Sequence, residues 1–487
     1  MPAVLVAVAG AILLVLVLAL PRVRSWQFLS LFSSVSPVPV QLSLNASFMM
    51  ALATLLRDPV GKLKLVRGFI PSALLVMALT QFASALWSAR ASAALTVGAT
   101  TLAILALILF VMQQPAAGSA SRDLLHAAAV AMVPVAVAQS VSTVVFRFDP
   151  DLEHRYFTSP LIVWLLGDEG RLLFSTLRNN VVDPLKSGGF LFVNGNKASM
   201  VMAVWALMYL SLCIKRRSFF HFAMFAVCMT GAISTSSKTA IFLAFSLVPF
   251  FLFLPLIVRV RANPAGFIGG LVVLIGASFG LAYVISTLSE RLVGIDESAD
   301  DRARLWAGAL TYFGESPLLG LGVGGWAQRW GSDPAATGLE TLPPHNMLIM
   351  LWADSGLLTP LIAVAIFLVI AVRYLKKIAA SERHRDATAA ALELAAMVWI
   401  FAHGMYDNTN FYGDVHTMVV FAVICARAAT GMVGEVQSHA DGVGAHVLVP
   451  DSSPRGPKGR GRGDARRRRP ATNTRTSQGT RGDQNGG

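Results

Sequence analysis

Charge is scarce in this chain: Asp, Glu, Lys and Arg make up 14% of 487 residues, while 55% are apolar. That balance excludes an ordinary soluble domain and makes the bilayer the main solvent. Cysteine is scarcer still. Cys213, Cys228 and Cys425 lie in or at the ends of apolar runs at no metal-like spacing, so neither a disulfide framework nor a zinc site is expected. Acidic residues are also few, 27 against 40 Lys and Arg. Part of that excess sits in the Gly, Arg, Ser and Thr-rich segment 434–487, which reads as a disordered basic tail. Its Arg run at 466–469 has nothing folded beside it, so a topology anchor or anionic-lipid contact is expected in preference to nucleic-acid binding.

Long apolar runs are what the chain has in abundance. Twelve recur in residues 1–433, at about 3–20, 41–56, 69–87, 91–112, 124–145, 198–213, 219–233, 239–258, 266–288, 345–372, 388–405 and 415–432. Each is long enough to cross, or nearly cross, a hydrocarbon core of about 30 Å as a helix. The expected fold is all-α, a polytopic helical membrane protein of about twelve spans. The first run lacks a basic leader and a small-residue cleavage pattern, and reads as an uncleaved span. The basic segments 57–67, 214–217, 259–261 and 373–385 fall on one side if the spans alternate, which makes that side cytoplasmic and places the tail there. Arg22 and Arg24 are discordant with that count, so an extra span within 26–40 stays open.

Two long loops then face outward, 146–197 and 289–343. The second carries eight acidic residues against four arginines. Its Trp306, Tyr312, Phe313, Trp326 and Trp330 predict an ordered segment rather than a bare linker.

Several motifs fall on the outward face. "GLGVGG" (320–325) fits G-x-G-x-x-G, yet no strand precedes it and no βαβ unit surrounds it, so a tight turn or flexible loop is the better reading. Asp149 and Asp151 have the D-x-D spacing that can hold Mg²⁺ or Mn²⁺ against a diphosphate, but Pro150, Arg147 and Arg155 fit a charge-balanced surface turn equally well. Lys238 opens a span, Arg302 and Arg304 sit in the second loop, and His345 follows Pro343 and Pro344 at the mouth of the next run. Taken singly these are solvated anchors. Together they describe a surface suited to a lipid-linked phosphate.

"DDRARLWAGALTYFGESPLLGLGVGGW" and, some twenty residues on, "PPHNMLIMLWADSGLL" resemble the signature of the O-antigen ligase and polymerase superfamily. Arg302, Trp306, Pro317, Gly320, Gly322, His345, Asn346, Asp354 and Gly356 fill its places, and "GGFLFVNGNKASMVMAV" is similar to a G-x-F-x-N-x-N stretch with Asn194 and Asn196 entering a span. One departure is Ser237-Lys238 where the family usually has Ser-Arg; lysine keeps the charge without the planar bidentate grip.

The resemblance implies a GT-C-like bundle that transfers a glycan from a polyprenyl diphosphate carrier to an acceptor hydroxyl at the outer face of the cell membrane, without metal, ATP or other cofactor. It implies His345 and Arg302 as catalytic residues, as base and as stabiliser of the departing diphosphate. Lys238, Arg304, Asn346, Gly320, Gly322 and Asn196 are then expected to bind substrate. The partners it implies are the lipid-linked donor, a glycan or glycolipid acceptor, membrane lipids and other polysaccharide assembly proteins. Ligase and polymerase share these motifs and are not separated by them. Three competing readings are a metal-dependent glycosyltransferase using Asp149 and Asp151, a polysaccharide or lipid transporter, and a cell-shape protein. Span centres nearly free of charge count against ion- or proton-coupled transport.

Overall fold

A computed structural model describes residues 68–113, 120–160, 186–258 and 295–429, with isolated positions 162, 268, 269, 272 and 276. The runs at 3–20 and 41–56, most of 266–288, and the tail lie outside the described residues. The other nine runs are helical, and the secondary structure described is all-α.

The first helices are α1 (Phe69–Ser84), α2 (Ala91–Gln113), α3 (Ala120–Phe148) and the short α4 (Pro150–Phe157). A second group comprises α5 (Gly195–Arg216), α6 (Phe219–Ser234) and α7 (Lys238–Val258). Among the described residues, six helices are long and apolar enough to cross a membrane: α2, α3, α5 and α7, together with α11 (Leu358–Ala380) and α12 (His384–Gly404). Three shorter apolar helices, α1, α6 and α13 (Met418–Ala429), accompany them. Pro134 in α3 and Pro249 and Pro255 in α7 stand inside helices, as membrane helices tolerate when neighbours re-satisfy the freed carbonyls.

The bundle is centred on α5 and α12, whose apolar windows are 83% buried against 33% for α7 and α11. Small residues make that centre possible: Ala203 and Ala206 of α5 and Ala390, Ala391, Ala395 and Ala396 of α12 are buried, and small side chains let backbones approach closely. Several polar groups inside are paired. Tyr209 donates to the carbonyl of Ala129 at 2.6 Å and Trp205 to that of His416 at 3.0 Å. Glu393 accepts from Lys215 and Arg427 at 2.6 Å each and from Tyr374 at 3.0 Å, which ties α5, α11, α12 and α13 together.

The run expected as one span over 345–372 is two helices, α10 (Met347–Ser355) and α11. Gly356, at φ 84°, turns the chain between them, and a Cβ there would collide with the carbonyl of Leu318. Hydropathy cannot register such a break, because residues on both sides are apolar. The long 289–343 segment also holds more helix than its polar composition suggests: α8 (Ile295–Glu315), α9 (Gly325–Trp330) and a 3₁₀ turn at Pro334–Ala336.

Residues from α8 to the start of α11 form a cap with its own core of Leu305, Ala309, Tyr312, Trp326, Trp330, Ala336, Leu339, Trp352 and Ala353. Irregular chain leaves carbonyls that need donors, and indoles supply them. Trp326 donates to Leu342 (3.0 Å), Trp330 to Leu339 (2.9 Å), Trp352 to Pro317 (3.0 Å) and Trp87, from the α1–α2 turn, to Leu319 (3.0 Å).

Candidate functional site

His345 occupies the seam between cap and bundle. Its φ of 46° is left-handed, which costs a residue with a Cβ free energy that the surroundings must offset. Both flanks are fixed. Before it, the Trp306 indole of α8 donates to the Pro344 carbonyl at 2.9 Å. After it, Asn346 caps α10, accepting from the N–H groups of Leu348 (2.9 Å) and Ile349 (3.2 Å), while its amide donates to the Met405 carbonyl at 3.3 Å. The last bond carries the seam to the 405–417 loop beyond α12.

That loop supplies the partner. His345 Nδ1 lies 3.5 Å from Asp407 Oδ1, an ion-pair distance slightly long for a hydrogen bond. Burial opposes ionisation of Asp407, but contact with His345 and the charge of His403 outweigh it and hold the carboxyl below its usual range. Asp407 Oδ1 also accepts from the N–H of Asn408 at 2.8 Å. Several buried polar atoms here have no hydrogen-bond partner: His345 Nδ1, Asp407 Oδ2, Thr409 Oγ1 and both ring nitrogens of His403. Orphans of this kind call for an explanation, a functional role being one.

A second ionic group stands in the same loop. Asp414 Oδ2 is 2.9 Å from Lys197 Nζ in the first turn of α5, and Asp414 Oδ1 meets His416 Nδ1. Burial opposes this carboxylate's charge too, yet Lys197 and then His416 hold it far below the usual range.

Arg302 lies four residues before Trp306, hence on the same face of α8, one turn from the residue that contacts Pro344. Its Nε is buried without a partner. Arg304 is engaged elsewhere, donating to the carbonyls of Ala335 and Thr337 at 2.9 Å each, so it braces the 3₁₀ turn. Lys238 opens α7 directly after the buried Ser237. Asn196 is in the first turn of α5; its N–H is capped by Asn194 Oδ1 at 2.8 Å and its carbonyl accepts from Ser199 at 2.6 Å.

Gly320 and Gly322 have positive φ, 70° and 77°, and each faces protein backbone. A Cβ on Gly320 would strike the Trp352 carbonyl, and one on Gly322 would come within 2.7 Å of Ser88 Cα. Packing alone accounts for both glycines. Asp354 of α10 has a buried Oδ1 without a partner. Asp149 caps α4, accepting from the Leu152 N–H at 2.9 Å, and Asp151 is exposed in the first turn of that helix.

The structure therefore brings together His345, Asn346 and, through Trp306, Arg302. It adds Asp407, His403 and the Lys197–Asp414–His416 group, none of which the motif reading selected. Their only local signals are His403 and Asp407 four apart and Asp414 and His416 two apart, spacings too common to stand out.

A family model described as O-antigen ligase matches residues 222–364. This segment is similar to an O-antigen ligase domain. It runs from α6 into α11 and takes in Lys238, Arg302, Arg304, Gly320, Gly322, His345 and Asn346, while Asn196 and Asp407 come from outside the matched range. No curated protein matches the chain significantly. The similarity over 222–364 and the six apolar helices support a membrane protein related to the O-antigen ligase and polymerase superfamily.

Proposed function

We propose that the protein transfers a glycan from a polyprenyl diphosphate-linked donor to an acceptor sugar hydroxyl, at the outer face of the cell membrane, in assembly of a surface polysaccharide. The observation that carries this reading is His345, held in a strained backbone state at the cap–bundle seam of a ligase domain with the Asp407 carboxylate behind it. A neutral imidazole is the usual general base near pH 7. As the acceptor oxygen bonds to the anomeric carbon, its proton passes to His345. The bond from that carbon to the diphosphate oxygen breaks, and its electron pair leaves with the diphosphate.

A diphosphate is a good leaving group, so cations that stabilise its charge matter more than an acid. Arg302 has that role, with Lys238 in support and the braced Arg304 as the fallback. Nothing in the step requires metal or ATP. Asp407 orients the imidazole and balances the charge it acquires, as a carboxylate does behind other catalytic histidines. The tail is placed in the cytoplasm by the same orientation.

The test is a single-turnover assay of purified protein with a polyprenyl diphosphate-linked oligosaccharide and chelator, following free polyprenyl diphosphate. Release by wild type and its loss in Arg302→Ala supports the reading. Release only after Mn²⁺ is restored would move the site to Asp149 and Asp151. Transport of intact donor with no release would favour the transporter alternative.

A further inference from the structure

The turn between α1 and α2 carries features that glycosyl transfer does not use. Residues 87–90 are bound to the 319–324 loop of the cap: Arg90 N–H donates to the Val323 carbonyl at 3.1 Å, and Val323 N–H donates to Ser88 Oγ at 2.8 Å. The stem of Arg90 lies over Gly324, where a Cβ would be 3.1 Å from its Cγ. Arg90, Ala89, Gly324, Ala327 and Gln328 line a notch of about 450 Å³ that contains no acidic residue. Beside it, three leucines are turned outward: Leu86 is 89% exposed, Leu318 73% and Leu319 56%. Their backbone is committed, since the Leu319 carbonyl accepts from Trp87 and the Leu318 carbonyl accepts from the Leu357 N–H at 3.2 Å.

A cation whose notch is lined by no acidic residue among the described residues, a tryptophan at helix-end level and exposed leucines beside the mouths of α2 and α11 match a lipid headgroup boundary, apolar below and anionic above. We propose that this notch binds an anionic phospholipid of the leaflet that meets the cap, its headgroup phosphate on Arg90 and Gln328 and its acyl chains over Leu86, Leu318 and Leu319. The site anchors the 318–324 loop, and with it the cap edge, to the bilayer. The inference rests on the orientation proposed above only in naming that leaflet the outer one.

The experiment is native mass spectrometry of the full chain released from zwitterionic micelles titrated with phosphatidylglycerol, which reads lipid retention and is independent of transferase activity. Wild type retains phosphatidylglycerol. Arg90→Gln weakens retention by about 5-fold, the effect of one interfacial cation, and Arg90→Lys keeps part of it. Leu318→Gln weakens it with the headgroup contact intact, while Lys376→Gln, a charge loss at an exposed site on α11, leaves it unchanged. Equal retention by wild type and Arg90→Gln would overturn the proposal. So would displacement of the lipid by inorganic phosphate, which would make the notch a free-anion site. Retention of polyprenyl phosphate with none of phosphatidylglycerol would also overturn it, assigning the notch to substrate.

Discussion

Of α5 and α12, Ala203, Ala206, Ala391 and Ala395 are buried among a few large rings such as Trp205 and Trp399, whereas the cap core is dominated by Tyr312, Trp326, Trp330 and Trp352. The difference follows from what each region must satisfy. In the bundle most backbone groups are paired within their own helix, apolar burial gives little advantage over lipid, and close approach through small residues is a main source of attraction. In the cap the helix α8 is followed by short helices and turns, so large rings drive burial and their N–H groups answer loop carbonyls. His345 lies where the two meet, fixed by Trp306 from the cap and by the 405–417 loop from the bundle.

Breaking either region should leave a different signature. Trp330→Ala removes a fully buried indole and its bond to Leu339, at a cost of about 3–5 kcal/mol; limited proteolysis should then open 295–357 while the helices of the bundle stay protected. Glu393→Ala leaves Lys215 and Arg427 without their shared carboxylate and costs a comparable 3–5 kcal/mol; here the melting temperature in detergent should fall with the cap still resistant to protease. Identical cleavage patterns for the two variants would contradict the division.

At the seam, Asp407→Asn should lower the single-turnover rate on the order of 10²-fold with donor affinity unchanged, because the imidazole loses its orienting charge while the cations proposed to face the phosphate remain. A change in affinity with an unaltered rate would instead make Asp407 a binding residue.

The smallest effect is expected at the cap surface. Tyr312 donates to Asp333, and that bond, followed by the bond from the Ala335 N–H, holds the Asp333 carboxyl below its ordinary range. A depressed folded value contributes stability above the unfolded pKa near 3.9, and the contribution is lost as pH falls through the lower folded value. Asp333→Asn should therefore remove that small contribution at neutral pH and flatten the acid limb of cap unfolding, read by near-ultraviolet circular dichroism, while stability below the folded value is nearly unchanged.

Much of this organisation was legible in the sequence, for identifiable reasons. Hydropathy located the helices because span length and apolarity are the same physical requirement. The aromatic content of 289–343 signalled an ordered cap. The break at Gly356 was hidden, since it depends on a backbone angle and a neighbouring carbonyl. Gly320 and Gly322 announced a tight turn but not the Trp352 and Ser88 backbones they face. His345 stood out beside two prolines within a signature, whereas Asp407 did not. It reaches His345 only through the packing of α12 and the turn beyond it, which no local pattern records. Arg302 was preferred to Arg304 for its place four residues before Trp306, but the contacts of Arg304 with Ala335 and Thr337 were not legible.

The central claim is that the cap–bundle seam is a glycosyl-transfer site with His345 as base. Its most direct test is single-turnover transfer by His345→Ala, with donor, acceptor and chelator present and folding checked by detergent melting. The account predicts a folded protein that binds donor and transfers at least 10²-fold more slowly than wild type. Transfer at the wild-type rate would contradict it.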